Sequence, residues 1–200
     1  MPLDGPDMLR QIFEESAAAH QRFAAGGLSM VMEAAAAISR TLASGGKVIA
    51  FGNGGSAADA QHLAAELVGR FEGERRALAS IALTADAAVV TAIANDYGYD
   101  KVFVRQIEGL GTQGDIAFGI STSGRSPNVL AALEAAKARG MLTIALTGRD
   151  GGPIARAADI PLTVHEESTP RVQEVHRTLL HAMCSVVEQL VALGNVGSGA

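Results

Sequence analysis

Basic residues are in short supply. Sixteen Lys and Arg stand against 21 Asp and Glu, a formal net charge of −5. Nucleic acids and anionic membrane surfaces both reward basic patches, so neither is expected as a partner. A local basic pocket remains compatible with the balance. Cysteine occurs once, at Cys184. A lone Cys makes no internal disulfide and fits a reducing cytoplasm; in a late helical segment it reads as a small buried hydrophobe. Aromatics are 4% of the chain and hydrophobics 48%. The core is therefore expected to be built from Ala, Val, Ile and Leu, small enough for helices to approach a sheet, and other subunits, closely. No apolar run approaches the ~20 residues that span a bilayer. The acidic opening MPLDGPDMLRQIFEES has no apolar centre of the kind a secretory signal carries. No repeat of solenoid period and no low-complexity linker is present.

Two hundred residues most simply make one domain with a substantial core. Residues 6–43 read as helix in two pieces, broken at Gly26-Gly27, with Ala34–Ala37, Ile38 and Leu42 on one apolar face. Residues 1–45 thus form an N-terminal helical arm, expected to pack on the domain and on partner subunits. Residues 46–193 alternate strand and helix. Strands are expected at Lys47–Phe51, Leu78–Leu83, Asp115–Ile120, Leu142–Leu146 and Ile160–Val164. Between them lie a helix from Ala57 to Arg70, one capped by Thr84 or Asp86 and running to Ala94, one over Asp100–Leu110, one opened by Pro127 and ended by Gly140, and a short one at Ile154–Ala157. Thr169-Pro170 opens a last helix to Leu193, and the Gly/Ser-rich residues 194–200 read as a flexible tail. Such alternation predicts an α/β fold, a central parallel sheet flanked by helices. Ligands of such sheets sit at the carboxyl ends of the strands. Two glycine- and hydroxyl-rich turns, GNGGS and STSGRS, fall at that edge.

The first turn, Gly52–Ser56, has glycines for tight geometry and places Ser56 near a helix N-terminus, where an anion is favoured. It is not a dinucleotide fingerprint, because Ala57 replaces the third glycine, and the chain has no P-loop Lys-Ser or Lys-Thr pair. Taken alone it could be a plain β–α turn. The second turn adds four hydroxyls, Ser121, Thr122, Ser123 and Ser126, around Gly124, more than one N-cap needs. Together the turns predict phosphate binding. Downstream of the first turn, His62 and Glu66 are four residues apart and share a helix face. On the last helix Gln173 and His181 are eight apart, offset by only about 80°. Two helices can thus bring imidazole, carboxylate, amide and imidazole to one point, as a zinc-type site or as an acid/base pair. The plain reading is an exposed i,i+4 pair and an interior histidine. His165 and His176 read as structural and His20 as a surface position.

The motifs GNGGSAADAQH (Gly52–His62), TAIANDYGYD (Thr91–Asp100), STSGRSPN (Ser121–Asn128), LTGRDGG (Leu146–Gly152) and QEVHRTLLH (Gln173–His181) together resemble the sugar isomerase (SIS) domain proteins, most closely the phosphoheptose isomerases. The resemblance spans the helical arm through Leu190. It implies a flavodoxin-like fold and a homotetramer with active sites at subunit interfaces. It implies an aldose–ketose isomerase that converts D-sedoheptulose 7-phosphate to D-glycero-D-manno-heptose 7-phosphate through an enediolate. It also implies one Zn²⁺ per subunit on His62, Glu66, Gln173 and His181, with Glu66 and His181 as the acid/base pair. Ser121, Thr122, Ser123 and Ser126 would hold the phosphate. Asn53, Gly54 and Gly55, with Ser56, Asn95, Asp96 and Gln173, would complete the substrate site. Arg125, where relatives often have Lys, would keep positive charge near the phosphate.

Two other readings stand beside this one. A non-catalytic SIS relative binds the bacterial replication initiator, but there the position matching His181 is not histidine. An isomerase of another phosphosugar is the second, although such enzymes usually carry two SIS domains or an added amidotransferase domain, for which this chain has no room.

Overall fold

The computed structural model describes residues 5–196, with side chains up to residue 193. Two helices come first, α1 (Gly5–Ala24) and α2 (Leu28–Ala43), separated by the expected break at Gly26-Gly27. Strand β1 (Val48–Gly52) leads to α3 (Gly55–Val68), and the short β2 (Ser80–Ala82) to α4 (Ala87–Tyr97). A single 3-10 turn at Tyr99–Lys101 precedes α5 (Val104–Leu110). Then follow β3 (Ile116–Ser121), α6 (Pro127–Ala138), β4 (Leu142–Gly148), α7 (Gly152–Ala157), β5 (Ile160–Val164) and α8 (Thr169–Val196). The expected helix over Asp100–Leu110 is therefore a 3-10 turn plus a shorter α-helix. The last helix continues through Gly194, Asn195 and Val196, which the sequence had suggested for the tail. The rest of that tail lies outside the described residues.

All five strands are parallel, in the order β2-β1-β3-β4-β5. This is the flavodoxin-like order, and its direction of winding reverses between β1 and β3. Every residue of β1 and of β3 is buried, as expected for strands covered on both faces. Side chains alternate between faces. Val48, Ala50, Ile116, Phe118 and Ile120 meet α2, α3 and α8, whereas Ile49, Phe51 and Ala117 meet α5, α6 and α7. The second half of the helical arm belongs to the core: α2 buries Val31, Ala34, Ala35, Ile38 and Leu42 and packs along α8. The small alanines permit that approach.

Polar ties fix the ends of the sheet. Asp115, 2% exposed, accepts from the backbone N–H groups of Lys47 and Thr112, from Thr112 Oγ1, and from Lys47 Nζ at 2.6 Å. Burial alone would raise its carboxyl pKa, but these donors outweigh burial and leave it lowered. Asp86, not Thr84, caps α4 by accepting from Val89 N at 3.0 Å. Cys184 is buried and its thiol is pushed up to about 12 by burial, so it is inert, as the sequence predicted.

Candidate active site

The winding reversal places the ends of β1 and β3 side by side, with Gly52 registered against Ile120. Both sequence-predicted turns therefore open into one crevice. In the first turn the helix begins two residues earlier than expected, because Gly54, at φ 57° and ψ −121°, is its N-cap. The N–H groups of Ser56 and Ala57 are already bonded to the carbonyls of Asn53 and Gly54, each at 3.0 Å. Ser56 is 3% exposed, packed under Gly52. Much of this turn's donor capacity is therefore spent on its own geometry.

The second turn is arranged differently. Gly124, at φ 65°, closes it by donating its N–H to Ser121 O at 3.0 Å. Ser121 Oγ lies 2.9 Å from Ser126 Oγ and 3.4 Å from Ser123 Oγ, so three hydroxyls gather at the N-terminus of α6. Ser126 occupies the N-cap position yet makes no side-chain cap bond, so its hydroxyl is not consumed by the helix. Thr122 is half-buried between these serines in sequence. Behind them the turn rests on residues 148–152. A Cβ on Gly124 would lie 2.2 Å from Gly151 O, and Gly124 O accepts from Ile154 N. Arg125, the expected cation beside this turn, is paired with an acidic side chain. Its guanidinium pairs with both Asp150 carboxylate oxygens at 2.9 and 2.7 Å, and both side chains are exposed.

Across the crevice α3 and α8 run against each other and match residue by residue. Gln173 lies against Gly55, where a Cβ would sit 2.1 Å from its Nε2. One turn on, Arg177 pairs with Asp59 at 2.6 Å. Asp59 is 3% exposed, and its burial raises its pKa against the pull of Arg177. One further turn on, His62 Nε2 faces His181 Nε2 at 2.7 Å, and Glu66 Oε1 is 3.3 Å from His62 Nε2. These three residues each offer one atom within 4.8 Å of the others. Burial and the nearby Arg177 charge lower the His62 pKa, so its ring is neutral with a lone pair to offer at pH 7. Two imidazole nitrogens and a carboxylate oxygen form a donor set suited to zinc. The fourth sequence-predicted ligand, Gln173, sits two turns before His181 and lines the adjoining pocket with His20, Asp59 and Arg177.

The wall beside this cluster was not foreseen. Glu188 accepts from the backbone N–H groups of Phe71, Glu72 and Gly73 and from Arg75 Nε. Arg75 also donates to the carbonyls of Glu66 and Leu67. The clamp sets the Phe71 ring 5.5 Å from the His181 ring. No sequence pattern signals a loop held by a residue more than a hundred positions away. Asn95 and Asp96 are exposed at the end of α4, Asn95 Nδ2 donating to Asp96 Oδ1 at 2.8 Å. Tyr99, just beyond them, donates to Asn53 Oδ1 at 3.1 Å and so ties that segment to the first turn.

The remaining histidines are structural. His176 is fully buried and donates from Nε2 to Thr147 O at 3.0 Å. His165 is exposed against Arg149 O. His20 departs from the surface expectation: it is half-buried and joins α1 to α8 through Ser16 O and Thr178 Oγ1, both at 2.8 Å.

The SIS domain family matches residues 11–148. The phosphoheptose isomerase of Thermodesulfovibrio yellowstonii is 48% identical over 185 residues, 92% of this chain and 92% of that protein. That of Aquifex aeolicus is also 48% identical over 185 residues, covering 92% of this chain and 97% of the relative. The solved phosphoheptose isomerase of Neisseria gonorrhoeae superposes with a TM-score of 0.87 at 45% identity, over 92% of this chain and 98% of the other. That of Francisella tularensis superposes with a TM-score of 0.90 at 38% identity, over 94% and 100%. The chain belongs to the phosphoheptose isomerase family of SIS-domain proteins.

Proposed function

We propose that this protein is an aldose–ketose isomerase that converts D-sedoheptulose 7-phosphate to D-glycero-D-manno-heptose 7-phosphate, the first step toward nucleotide-activated heptose. The carrying observation is the convergence of His62, Glu66 and His181 beside a hydroxyl-rich turn at the sheet's winding reversal. The phosphate is assigned to Ser121, Thr122, Ser123, Ser126 and the α6 N-terminus, where free N–H groups and the helix dipole favour an anion. Arg125, paired with Asp150 beside the turn, adds positive charge near a grip that hydroxyls and backbone dipoles carry. Asn53, Gly54 and Gly55, with Ser56 beneath them, shape the sugar site, which Asn95, Asp96 and Gln173 complete.

In the chemical step Glu66 takes the proton from C1 of the ketose and returns it to C2. His181 passes the O1 proton to O2, so a C1 aldehyde and a C2 hydroxyl result with no net loss of protons. Developing charge on the enediolate oxygens needs stabilisation in place. Binding energy from the distant phosphate orients the carbon chain for this transfer. His62, Glu66 and His181, with Gln173, would hold zinc, which when bound supplies Lewis-acid stabilisation of the sugar oxygens. A coordinated carboxylate is a poor base and a coordinated imidazole nitrogen carries no proton, so Glu66 and His181 would do their acid/base work only when not ligated.

Assembly as a homotetramer with active sites at subunit interfaces is part of the same reading. Helix α1 leaves Met8, Leu9, Ile12 and Phe13 exposed on one side, Phe13 by 74%. Helix α4 carries AAVVTAIA yet buries none of its residues. Apolar surface of this kind calls for a partner, and α4 is the helix that bears Asn95 and Asp96. A cytoplasmic setting suits the buried free thiol; among the described residues no helix is long and apolar enough to cross a membrane. The initiator-binding alternative has no use for His181, which here completes the His/Glu/His cluster. The other alternative, isomerisation of a different phosphosugar, is tested by offering hexose phosphates beside the heptulose. Turnover of sedoheptulose 7-phosphate, with elemental analysis before and after chelation, tests the assignment. Full activity in a metal-free preparation would remove zinc and leave the isomerase standing.

A further inference from the structure

The side chain of Asn53, at the end of β1, is held from two sides. Its Nδ2 donates to Asn128 Oδ1 at 2.9 Å, and its Oδ1 accepts from Asn128 Nδ2, also at 2.9 Å. The Tyr99 hydroxyl donates to the same Oδ1 at 3.1 Å. Asn128 is 2% exposed and lies in the first turn of α6, directly after the serine turn. An amide has two acceptor lone pairs and two N–H donors. In Asn53 both lone pairs and one N–H are therefore engaged, which leaves a single N–H for a ligand. An isolated asparagine on a turn would instead rotate freely and present either end.

The three residues come from separate segments. Asn53 belongs to the glycine turn, Tyr99 to the segment that follows Asn95 and Asp96, and Asn128 to the helix whose N-terminus carries the proposed phosphate grip. Two planar amides joined edge to edge by two bonds form a rigid link, since neither can turn without breaking both. We propose that Asn128 and Tyr99 are positioning residues: they lock the Asn53 amide so that it meets the sugar as one N–H donor, at a fixed distance from the phosphate grip. The group it meets is then an oxygen acceptor on the sugar chain. The inference rests on Asn53 being a sugar contact, as assigned above.

Steady-state kinetics on Asn53→Ala, Asn53→Asp, Asn128→Ala and Tyr99→Phe test it, together with the inhibition constant of inorganic phosphate and a thermal melt for each. Tyr99 is 54% exposed, so removal of its hydroxyl alone leaves the fold intact. Asn128→Ala and Tyr99→Phe are expected to lower kcat/KM for sedoheptulose 7-phosphate about three- to thirtyfold, the effect of losing one or two hydrogen bonds. Phosphate inhibition should stay within about twofold, because the grip itself is untouched. Asn53→Asp should lose at least as much as Asn53→Ala, since a carboxylate accepts from Asn128 and Tyr99 but has no N–H to offer. The double variant Asn53→Ala/Asn128→Ala should be no worse than Asn53→Ala alone. Weakened phosphate inhibition with unchanged kcat/KM in Asn128→Ala would make Asn128 a mere prop of α6 and overturn the proposal. Retained activity in Asn53→Asp would overturn the donor assignment. Wild-type kinetics in Asn53→Ala would remove the sugar contact itself, and the proposal with it.

Discussion

His176 and His181 lie five residues apart on α8 and should fail in different ways when replaced. His176 is fully buried; among the described residues its Nδ1 has no partner, and its one side-chain bond runs from Nε2 to Thr147 O. Burial lowers its pKa from 6.5 to about 4, against the small opposing pull of the Thr147 carbonyl. The sign follows from linkage. Between pH 6.5 and 4 the unfolded chain binds a proton at this site and the native chain does not. Stability is therefore intact above pH 6.5 and is lost as pH falls toward about 4. At ~1.4 kcal/mol per pH unit the interval costs roughly 3 kcal/mol, a large share of a typical domain's 5–15 kcal/mol. His176→Gln retains an N–H donor for Thr147 but does not titrate. Urea denaturation from pH 7.5 to 4 should show the wild type losing roughly 3 kcal/mol more than the variant. The variant's activity per folded molecule at pH 7.5 should stay near that of the wild type. Parallel stability profiles would refute the buried neutral imidazole and the structural role drawn from it.

Other perturbations follow from the same geometry. Gly55→Ala places a Cβ 2.1 Å from Gln173 Nε2; the flexible amide can retreat, so melting should change little while activity falls at least tenfold. Gly124→Ala meets the backbone oxygen of Gly151 at 2.2 Å and needs φ 65°. Denaturation should show a loss of at least ~1–2 kcal/mol, and phosphate inhibition should weaken. Asp115→Asn removes a carboxylate whose lowered pKa gives stability present above the unfolded value and lost as pH falls through the folded one. The variant should lose roughly 1–3 kcal/mol at pH 7 and show a flatter acid limb in pH-dependent denaturation. Phe13→Glu puts a charge on the exposed stripe of α1, and light scattering should then report a smaller species than the wild type.

The alternation of strand and helix, and the two turns at one sheet edge, were legible because each is local: apolar runs for strands, glycine, proline and hydroxyls for their ends. Register, winding reversal and the meeting of α3 with α8 are tertiary, yet the i,i+4 spacing already placed His62 with Glu66, while Gln173 lies two turns from His181, against Gly55. Where local signals competed, boundaries shifted. Gly54 adopts a conformation that starts α3 at Gly55, not Ala57. The edge strand β2 is three residues long where six were expected, since only Ser80–Ala82 pair with β1. The partner of Arg125 was not legible for a different reason: Asp150 arrives from the next strand's turn. Tyr99 and Asn128 sat inside recognisable motifs, but nothing in their spacing tells that both close on Asn53.

The central claim is that Glu66 moves a carbon-bound proton within a substrate anchored by the serine turn. Its most direct test is turnover of sedoheptulose 7-phosphate in deuterium oxide, with the heptose C2 position followed by NMR. Wild type should form the heptose phosphate and carry deuterium at C2. Glu66→Gln, folded and unchanged in phosphate inhibition, should do neither. Undiminished exchange in that variant, or no turnover of the heptulose phosphate by wild type, would contradict the account.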